Sequence, residues 1–366
     1  MKNRVTATVN LDAIRANYKH IKQLAGESRV MAVVKADAYG HGSARIAEEL
    51  QKLGCNDFAV ACLSEAEHLR ENGITGNILI LGPTDDSLAG SIVSGNFIQA
   101  VDSAESAERL ARAGRIRVHI KVDTGMSRIG IYCHGLSDIG FAAAEIARII
   151  KNPDISVEGI FTHFADSDGA NRDFTEKQFS VFKALTDTLA ANGMDCGTRH
   201  CCNSAAIIRF PEMRLDMVRA GIILYGLMPS AEINDPHFRP AMKLSARICA
   251  VHKLEKGDHV SYGCTYTADR ATRVAVISIG YADGFSRLYS GKKVVRINGR
   301  EFATVGRICM DMCMVDIGNE LECAPGDEAV IFETADDIER LAEAMGTINY
   351  EILCSLKHRV LLQYND

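Results

Sequence analysis

Residues 30–62 read VMAVVKADAYGHGSARIAEELQKLGCNDFAVAC, and this stretch holds one complete strand–helix–strand unit. Short apolar runs, Val30 to Lys35 and Phe58 to Cys62, flank a segment with helical periodicity, Ser43 to Leu53. Apolar runs of this length are typical of buried strands, and Gly54 stands where a helix would end. Two strands joined by one helix predict a parallel pair with a right-handed crossover.

The same alternation of strand and helix continues through the first two thirds of the chain. With the two strands above, the predicted strands are Ile78 to Leu81, Phe97 to Val101, Val118 to Val122, Val157 to His163, Thr198 to Cys202 and Met217 to Ala220. The further predicted helices are Ser64 to Asn72, Asp85 to Ser94, Ser103 to Ala113, Leu136 to Ile150, Phe174 to Asn192 and Ser204 to Phe210. Ser64 and Ser103 stand where N-caps are expected. Eight such units predict an α/β fold, an N-terminal (β/α)8 TIM-like barrel.

The pattern changes after Met228. Pro229, Pro236 and Pro240 indicate a linker, and strands separated by turns follow it. The predicted strands are Leu244 to Leu254, Arg273 to Ile279, Lys293 to Ile297, Glu301 to Val305, Cys313 to Ile317 and Glu328 to Phe332, with one helix near Asp336 to Ala344. We therefore expect two domains, a barrel at residues 1–230 and a smaller, mainly β domain at residues 231–366.

Composition excludes several classes of protein. The 366 residues carry a net charge of −6 and no long basic block, so we expect no nucleic-acid partner. The N-terminus lacks the apolar segment of a secretion signal and no apolar run could span a membrane, so we expect a cytoplasmic protein. The 12 cysteines include no Cys-x-x-Cys pair, and we expect neither disulfides nor a metal site.

Polar side chains follow several of the predicted barrel strands, at the end where barrel enzymes place their active sites. Lys35 ends the first strand, His163 ends the sixth, and Arg128 follows the fifth. A lysine sheltered from solvent at a barrel mouth offers a free amine, which is how proteins attach pyridoxal 5′-phosphate (PLP). Ser204 and the Gly221–Ile222 amides could cradle its phosphate. Singly, each residue is as well explained as a structural group; together they predict a PLP site.

Several motifs make the chain resemble alanine racemases, which are fold-type III PLP-dependent amino-acid racemases. The matching segments, spread over essentially the whole chain, are Val33 to Gly42 (VVKADAYGHG), Lys121 to Gly130 (KVDTGMSRIG), Thr162-His163-Phe164, Asn203-Ser204-Ala205, Arg219 to Ile222, Val260 to Gly263, Gly280 to Gly284 and Val305 to Asp311. The Tyr262 and Met310-Asp311 segments are the most specific of these. The resemblance implies a homodimer of two-domain subunits that interconverts L-alanine and D-alanine and supplies D-alanine for peptidoglycan.

The resemblance also implies a role for individual residues. Lys35 would be the Schiff-base lysine and one catalytic base, and Tyr262 from the other subunit would be the second. The other cofactor-binding residues would be Tyr39, His163, Asn203, Ser204, Arg219, Gly221, Ile222 and Tyr350. Arg128, Met310 and Asp311 would contact the substrate, and Lys121 would carry a carbamate that orients Arg128. A narrow channel to the site would be lined by Asp168, Tyr281, Arg287, Arg307 and Ile348.

Two alternatives differ in substrate or in catalysis. A racemase that prefers serine is the nearest, although relatives of that kind tend to lack the tyrosine found here at Tyr350 and to carry a membrane domain. Non-catalytic PLP-binding proteins share the barrel and the lysine motif, but they end near the barrel, whereas this chain continues through Tyr262. A PLP decarboxylase is disfavoured because its C-terminal motifs are absent. The sequence departs from the family's usual pattern at Ser127, Cys309 and the tail after Arg359.

Overall fold

The computed structural model describes residues 4–366. Its strands are β1 (Val5–Asn10), β2 (Arg29–Val33), β3 (Asp57–Val60), β4 (Asn77–Ile80), β5 (Ile98–Val101), β6 (Ile116–Asp123), β7 (Ile131–Tyr132), β8 (Ile155–Phe161), β9 (Thr198–His200), β10 (Met217–Ala220), β11 (Met242–Leu254), β12 (His259–Val260), β13 (Tyr266–Thr267), β14 (Thr272–Ile277), β15 (Lys293–Ile297), β16 (Arg300–Ala303), β17 (Cys313–Asp316), β18 (Glu328–Phe332) and β19 (Leu361–Asn365). Its α-helices are α1 (Leu11–Ala25), α2 (Lys35–Gly40), α3 (Ser43–Lys52), α4 (Leu63–Glu71), α5 (Ala89–Ser94), α6 (Ala104–Ala111), α7 (Ile139–Lys151), α8 (Asp173–Ala191), α9 (Ser204–Arg209), α10 (Ala335–Met345) and α11 (Asn349–Cys354).

Eight parallel strands close into a barrel. Their order is β2, β3, β4, β5, β6, β8, β9 and β10, and β10 pairs with β2 to complete the ring. Each of these strands overlaps one of the eight predicted from the sequence, which confirms the (β/α)8 prediction. The short strand β7 adds to β6 outside the ring.

The barrel strands are buried on both faces, and this explains their nearly continuous apolar sequences. In β6 seven of eight residues are buried, with His119, Lys121 and Asp123 among them. Because side chains alternate along a strand, these three share one face. His119 contacts His200 of β9, so this polar face points into the barrel. A Cβ at Gly159 of β8 would lie 2.7 Å from the His119 ring, so only glycine leaves room for it.

The other sheet is mostly antiparallel. Its central path runs β16, β15, β18, β11, β1 and β19; β14 pairs with β11, and β17 pairs with β14. All six strands and the helix predicted for this part of the chain are present. The elements that were not predicted are β1, β7, β12, β13, β19, α1, α2 and α11. The tail that departs from the family's pattern forms β19, which pairs in parallel with β1.

The chain divides into two compact units. The barrel unit comprises residues 14–38 and 42–239, and the sheet unit comprises residues 4–13, 39–41 and 240–366. The predicted boundary between residues 230 and 231 stays a prediction. No helix within residues 4–366 has the length and apolar character needed to cross a membrane.

One predicted helix cap is wrong. Ser103 caps α6 and accepts a hydrogen bond from the backbone of Ser106, as expected. The N-cap of α4, however, is Cys62 in extended conformation, and Ser64 lies inside the first turn. The carboxylate of Glu65 accepts a backbone hydrogen bond at this end instead.

Candidate active site

Lys35 is followed by a left-handed turn. It is half-buried directly after β2, and the next four residues, Ala36 to Tyr39, have φ between 52° and 54°. None of the four is glycine, so each left-handed residue costs about 1–2 kcal/mol. In the barrel unit, Asp37 accepts a hydrogen bond of 2.6 Å from the backbone of Ser43. A backbone held against such a cost indicates that the direction of Lys35 is strongly determined by its surroundings.

Arg219, at the end of β10, is the centre of a buried hydrogen-bond network. Its side chain is almost completely buried, and it donates to the carbonyl oxygens of Thr162 and Cys201 at 2.9 and 3.1 Å. It also donates to Nδ1 of His163 at 3.1 Å and to Nδ1 of His200 at 2.9 Å. A guanidinium can only donate, so both imidazoles accept at Nδ1 and carry their proton on Nε2. Nε2 of His200 then donates to Nδ1 of His119 at 2.9 Å.

Burial and positive neighbours keep these imidazoles neutral. Burial and then the charge of Arg219 lower the pKa of His163, to which Lys121, Arg128 and Lys35 also contribute. The pKa of His200 is lowered by burial and Arg219 in the same way. Burial lowers the pKa of Arg219 itself only to about 10, so the guanidinium stays charged at neutral pH. The barrel interior therefore offers a fixed positive charge beside neutral rings.

The pKa of His119 is lowered to about 3, with burial as the main cause, followed by the charges of Arg29, Arg117 and Arg219. The His200 ring stacks on Phe161, with centroids 4.8 Å apart. The histidine chain is therefore fixed by packing as well as by hydrogen bonds, and it extends the Arg219 network deep into the barrel.

Lys121 is buried on the same inner face of β6, with its ammonium nitrogen 4.9 Å from the centre of the Phe161 ring. Burial, then Arg219 and Arg128, lower its pKa well below the usual value. Arg128 is exposed, and within residues 4–366 it forms no ion pair. Asp123 instead accepts from the backbone of Gly125 and Ser127 and from the ring of His134, which folds the loop that carries Arg128.

The ends of β9 and β10 bring together the residues predicted to bind phosphate. The backbone N–H of Gly221 donates to the Ser204 hydroxyl at 3.0 Å. Since the hydroxyl oxygen accepts this bond, its own hydrogen can be donated to a ligand. Asn203 accepts from the backbone of Ala206 and from Ser167, so its side chain holds the local turn. With a fixed positive charge on Arg219, this donor set fits an anionic cofactor.

Two of the predicted cofactor residues lie in the sheet unit. Tyr39 and Tyr350 contact each other there, with ring centroids 6.0 Å apart. Burial raises the pKa of Tyr39, which keeps its hydroxyl protonated and able to donate. A Cβ at Gly40 would lie 2.5 Å from the carbonyl oxygen of Leu353, so this position requires glycine. The end of the lysine motif is thereby packed against α11.

Tyr262 is presented at the surface of the sheet unit, with 71% of the residue exposed. The preceding residue, Ser261, has φ of 67°, and its hydroxyl donates to the carbonyl oxygen of Arg307 at 2.5 Å. The same hydroxyl lies 3.5 Å from Sγ of Cys309. The loop that carries Tyr262 is therefore tied to the segment that leads to Met310.

Met310 and Asp311 are also exposed. The backbone N–H groups of Tyr281 and Ala282 donate to the carbonyl oxygens of Cys309 and Met310, at 3.2 and 3.0 Å. The Asp311 carboxylate pairs with Arg359 at 2.6 Å. The predicted substrate-contacting pair is thus held by its backbone and by the C-terminal tail.

The residues predicted to line a channel are divided between the units. Asp168 belongs to the barrel unit, where its carbonyl oxygen accepts from Ser230 at 2.8 Å. The other four, all exposed in the sheet unit, are Tyr281, Arg287, Arg307 and Ile348. Their role in a channel stays a prediction.

One cluster within residues 4–366 has the side chains of a metal site, namely His20, Asp235 and His237. Each carboxylate oxygen of Asp235 is already paired with one imidazole at 2.8 Å, to His20 and to His237 respectively. Asn17, on the same helix as His20, bonds both backbone groups of Arg239. The cluster is therefore explained as a clip between α1 and the segment after β10.

Sequence reasoning missed three residues of this arrangement. His200 was not predicted as a site residue, although its place within the predicted strand Thr198 to Cys202 was a usable signal. Arg359 gave no signal, because its partner Asp311 is distant in sequence. Glu65, in the first turn of α4, accepts from the backbone N–H of Ala36, directly after Lys35.

Comparison with known proteins gives a consistent result. The family model described as alanine racemase, N-terminal domain, matches residues 9–229, and that described as alanine racemase, C-terminal domain, matches residues 241–364. The alanine racemase of Desulforamulus reducens is 43% identical, with 98% of each chain covered.

Solved structures agree. Alanine racemase from Clostridium difficile 630 superimposes with a TM-score of 0.95 at 39% identity, covering 100% of this chain and 96% of that one. Alanine racemase from Bacillus anthracis with bound L-Ala-P gives a TM-score of 0.92 at 32% identity, covering 100% and 95%.

Proposed function

The chain belongs to the alanine racemase family, whose members are isomerases, and from this premise we propose that it interconverts L-alanine and D-alanine with PLP by a two-base mechanism. The observation that carries the proposal is the group of basic side chains near His163. Arg219 donates to His163 at 3.1 Å, and Lys121, Arg128 and Lys35 are near enough to contribute to its lowered pKa. These are the groups that a lysine-bound anionic cofactor and an amino-acid carboxylate require.

In this proposal the barrel unit holds the cofactor. Lys35 would be its covalent attachment point, and the Ser204 hydroxyl with the Gly221 and Ile222 amides would bind the phosphate, assisted by Tyr39 and Tyr350. Arg219 would hold the pyridine nitrogen, where its permanent charge would disfavour a proton. His163 and Asn203 keep these groups in place. When bound, PLP withdraws electrons from the substrate and makes its α-proton acidic enough to remove.

Inversion requires proton transfer on opposite faces of the substrate α-carbon. We propose that Lys35 serves one face and that Tyr262 of a second copy serves the other. Tyr262, Met310 and Ile348 are exposed, so a second copy of the chain can reach them. In the homodimer, Met310 and Asp311 of one copy would complete the substrate pocket of the other, with Arg128 binding the substrate carboxylate.

Lys121 is proposed to carry a carbamate. Burial and the charges of Arg219 and Arg128 lower the pKa of the Lys121 amine and favour its neutral form, and a neutral amine reacts with CO₂ to give a carbamate and a proton. The product is an anion that can accept charge-assisted hydrogen bonds from Arg128. An intact mass without the added 44 Da, to within about 1 Da, and density without the added carboxylate would contradict this.

The wider setting is proposed from the family. We infer a cytoplasmic enzyme that supplies D-alanine for peptidoglycan, with domains at residues 1–230 and 231–366. Substrate would reach the site through a channel lined by Asp168, Tyr281, Arg287, Arg307 and Ile348.

The decisive experiment follows exchange of the α-hydrogen in D₂O, starting separately from L-alanine and D-alanine. We expect Tyr262→Phe to slow exchange from one enantiomer about 100-fold more than from the other, since each base serves one face. Tyr132→Phe, which changes an exposed tyrosine of the barrel unit, is the control and should leave both rates unchanged. Equal loss from both enantiomers would remove the assignment of Tyr262.

Two further measurements separate the alternatives. The yellow PLP adduct should form with the unaltered chain and should be lost in Lys35→Ala. Binding of PLP and alanine without exchange would instead indicate a non-catalytic PLP-binding protein. Competing kcat/KM values for L-alanine and L-serine decide between the two racemase activities.

A further inference from the structure

Glu65 links the left-handed turn after Lys35 to the loop that follows the next barrel strand, β3. One carboxylate oxygen accepts a hydrogen bond of 2.7 Å from the backbone N–H of Ala36, directly after Lys35. The other accepts a bond of the same length from the backbone N–H of Ala61, after β3. A single side chain therefore connects the loops that follow two adjacent strands, β2 and β3.

The turn needs such a connection. Four successive non-glycine residues, beginning with Ala36, have left-handed φ angles, at a cost of about 1–2 kcal/mol each. Local preferences of the sequence thus oppose the conformation, and other contacts must maintain it. Within the turn, the Asp37 side chain accepts from the backbone of Ser43, and the backbone N–H of Ala38 donates to the carbonyl oxygen of Val34. At the near end, beside Lys35, the side chain that accepts from the turn's backbone is Glu65.

The contact to Ala36 is more than ordinary helix capping. A glutamate in the first turn is favourable for any helix, through its dipole and through bonds to the N-terminal amides. The bond to Ala61 is of that local kind. Glu105 occupies the first turn of α6, and its one hydrogen-bond partner among residues 4–366 is Arg109 of its own helix. Glu65 differs in reaching a strand end far from its own helix in sequence.

We propose that Glu65 is a positioning residue that fixes the direction of Lys35 by holding the backbone of the left-handed turn. The proposal rests on the proposed function, in which Lys35 binds PLP covalently. Charge-assisted hydrogen bonds to backbone amides are among the stronger ones in proteins. A change at Glu65 therefore affects Lys35 although the two side chains need not touch.

The test uses Glu65→Gln, which keeps the size of the side chain. A glutamine has one accepting atom, so either Ala36 N–H or Ala61 N–H then faces an amide NH₂ group. The control is Glu105→Gln. Apoprotein is titrated with PLP, adduct formation is followed by absorbance, and borohydride trapping with peptide mass analysis measures the fraction of modified Lys35.

We expect Glu65→Gln to weaken PLP binding about tenfold. Exchange of the α-hydrogen in D₂O should slow by the same factor from L-alanine and from D-alanine, in contrast to Tyr262→Phe. Glu105→Gln should bind PLP as the unaltered chain does. Thermal unfolding of the apoproteins is recorded alongside. If Glu65→Gln and Glu105→Gln lose similar stability and bind PLP as the unaltered chain does, Glu65 only caps its helix and the proposal is wrong.

A second variant tests the turn itself. Glycine adopts positive φ without steric cost, so Ala36→Gly relieves part of the strain that Glu65 opposes. The double variant Ala36→Gly with Glu65→Gln should recover at least about threefold of the lost PLP affinity, because the two sites share one contact. Additive effects of the two changes would overturn the proposal.

Different results would contradict the proposed function and the role of Glu65. If the unaltered chain forms no adduct at Lys35, the proposed function fails. If it forms the adduct and Glu65→Gln binds PLP as tightly as Glu105→Gln does, only the role of Glu65 fails.

Discussion

The barrel unit and the sheet unit treat their candidate functional residues in opposite ways. In the barrel, Arg219, Lys121 and His200 are buried and bonded to one another or packed on the same ring. In the sheet unit, Tyr262 is 71% exposed and Met310 52% exposed. The candidate functional side chains of the barrel are therefore part of its packed core, whereas those of the sheet unit are exposed at its surface. Substitutions in the two units should differ accordingly.

The largest effect on stability is expected for Arg219→Ala. Removing the guanidinium leaves two buried carbonyl oxygens and two imidazoles without their donor. We expect a loss of about 3 kcal/mol in the free energy of unfolding. Urea titration of the apoprotein measures it. Arg148→Ala, at an exposed ion pair, should cost less than about 0.5 kcal/mol. Similar losses in both variants would contradict the view that the buried Arg219 network stabilises the fold more than an exposed ion pair does.

Lowering the pH should act on the same buried network. His119, with a folded pKa near 3, and the neutral His163 and His200 must gain protons on unfolding below their unfolded pKa of about 6.5. Because the unfolded chain binds more protons there, stability falls as the pH falls below about 6.5, by at most about 1.4 kcal/mol per pH unit for each histidine. Urea midpoints at pH 7.5, 6.5 and 5.5 should show the decline.

The slope of the unfolding free energy against pH tests whether the pH dependence originates in the barrel unit. His119→Gln should reduce the slope, and His252→Gln, at an exposed position of the sheet unit, should leave it unchanged. A slope that changes equally in the two variants would contradict a barrel origin.

The smallest effect on folding is expected at the exposed face of the sheet unit. Met310→Ser should change the free energy of unfolding by less than about 0.5 kcal/mol. If the proposed homodimer forms, Met310→Ser should nevertheless raise its dissociation constant about tenfold, because the Met310 side chain would be buried only by a second copy. Sedimentation over a dilution series measures this. Phe141→Ser, at a 61% exposed residue of the barrel unit, is the matched control and should not weaken assembly.

The barrel could be predicted because each strand is a local apolar run and most of the helices between them end at a glycine. Strand β1 was missed although Val5, Ala7 and Val9 alternate in burial as a strand requires. Its partners, β11 and β19, lie at the other end of the chain, so no local pattern indicates where it belongs. The left-handed turn after Lys35 could not be predicted either, since Ala36 to Tyr39 contains no glycine.

The sequence by itself determined the order of strands and helices and placed Lys35, His163 and Arg219 at strand ends, because periodicity and turn residues act over a few positions. Tertiary structure alone decided how these residues are controlled. The proton on Nε2 of His200 and the bond from Ala36 to Glu65 each depend on a partner from another part of the chain. Such partners are brought together by packing of the closed barrel, and the residues next to them in the sequence do not indicate them.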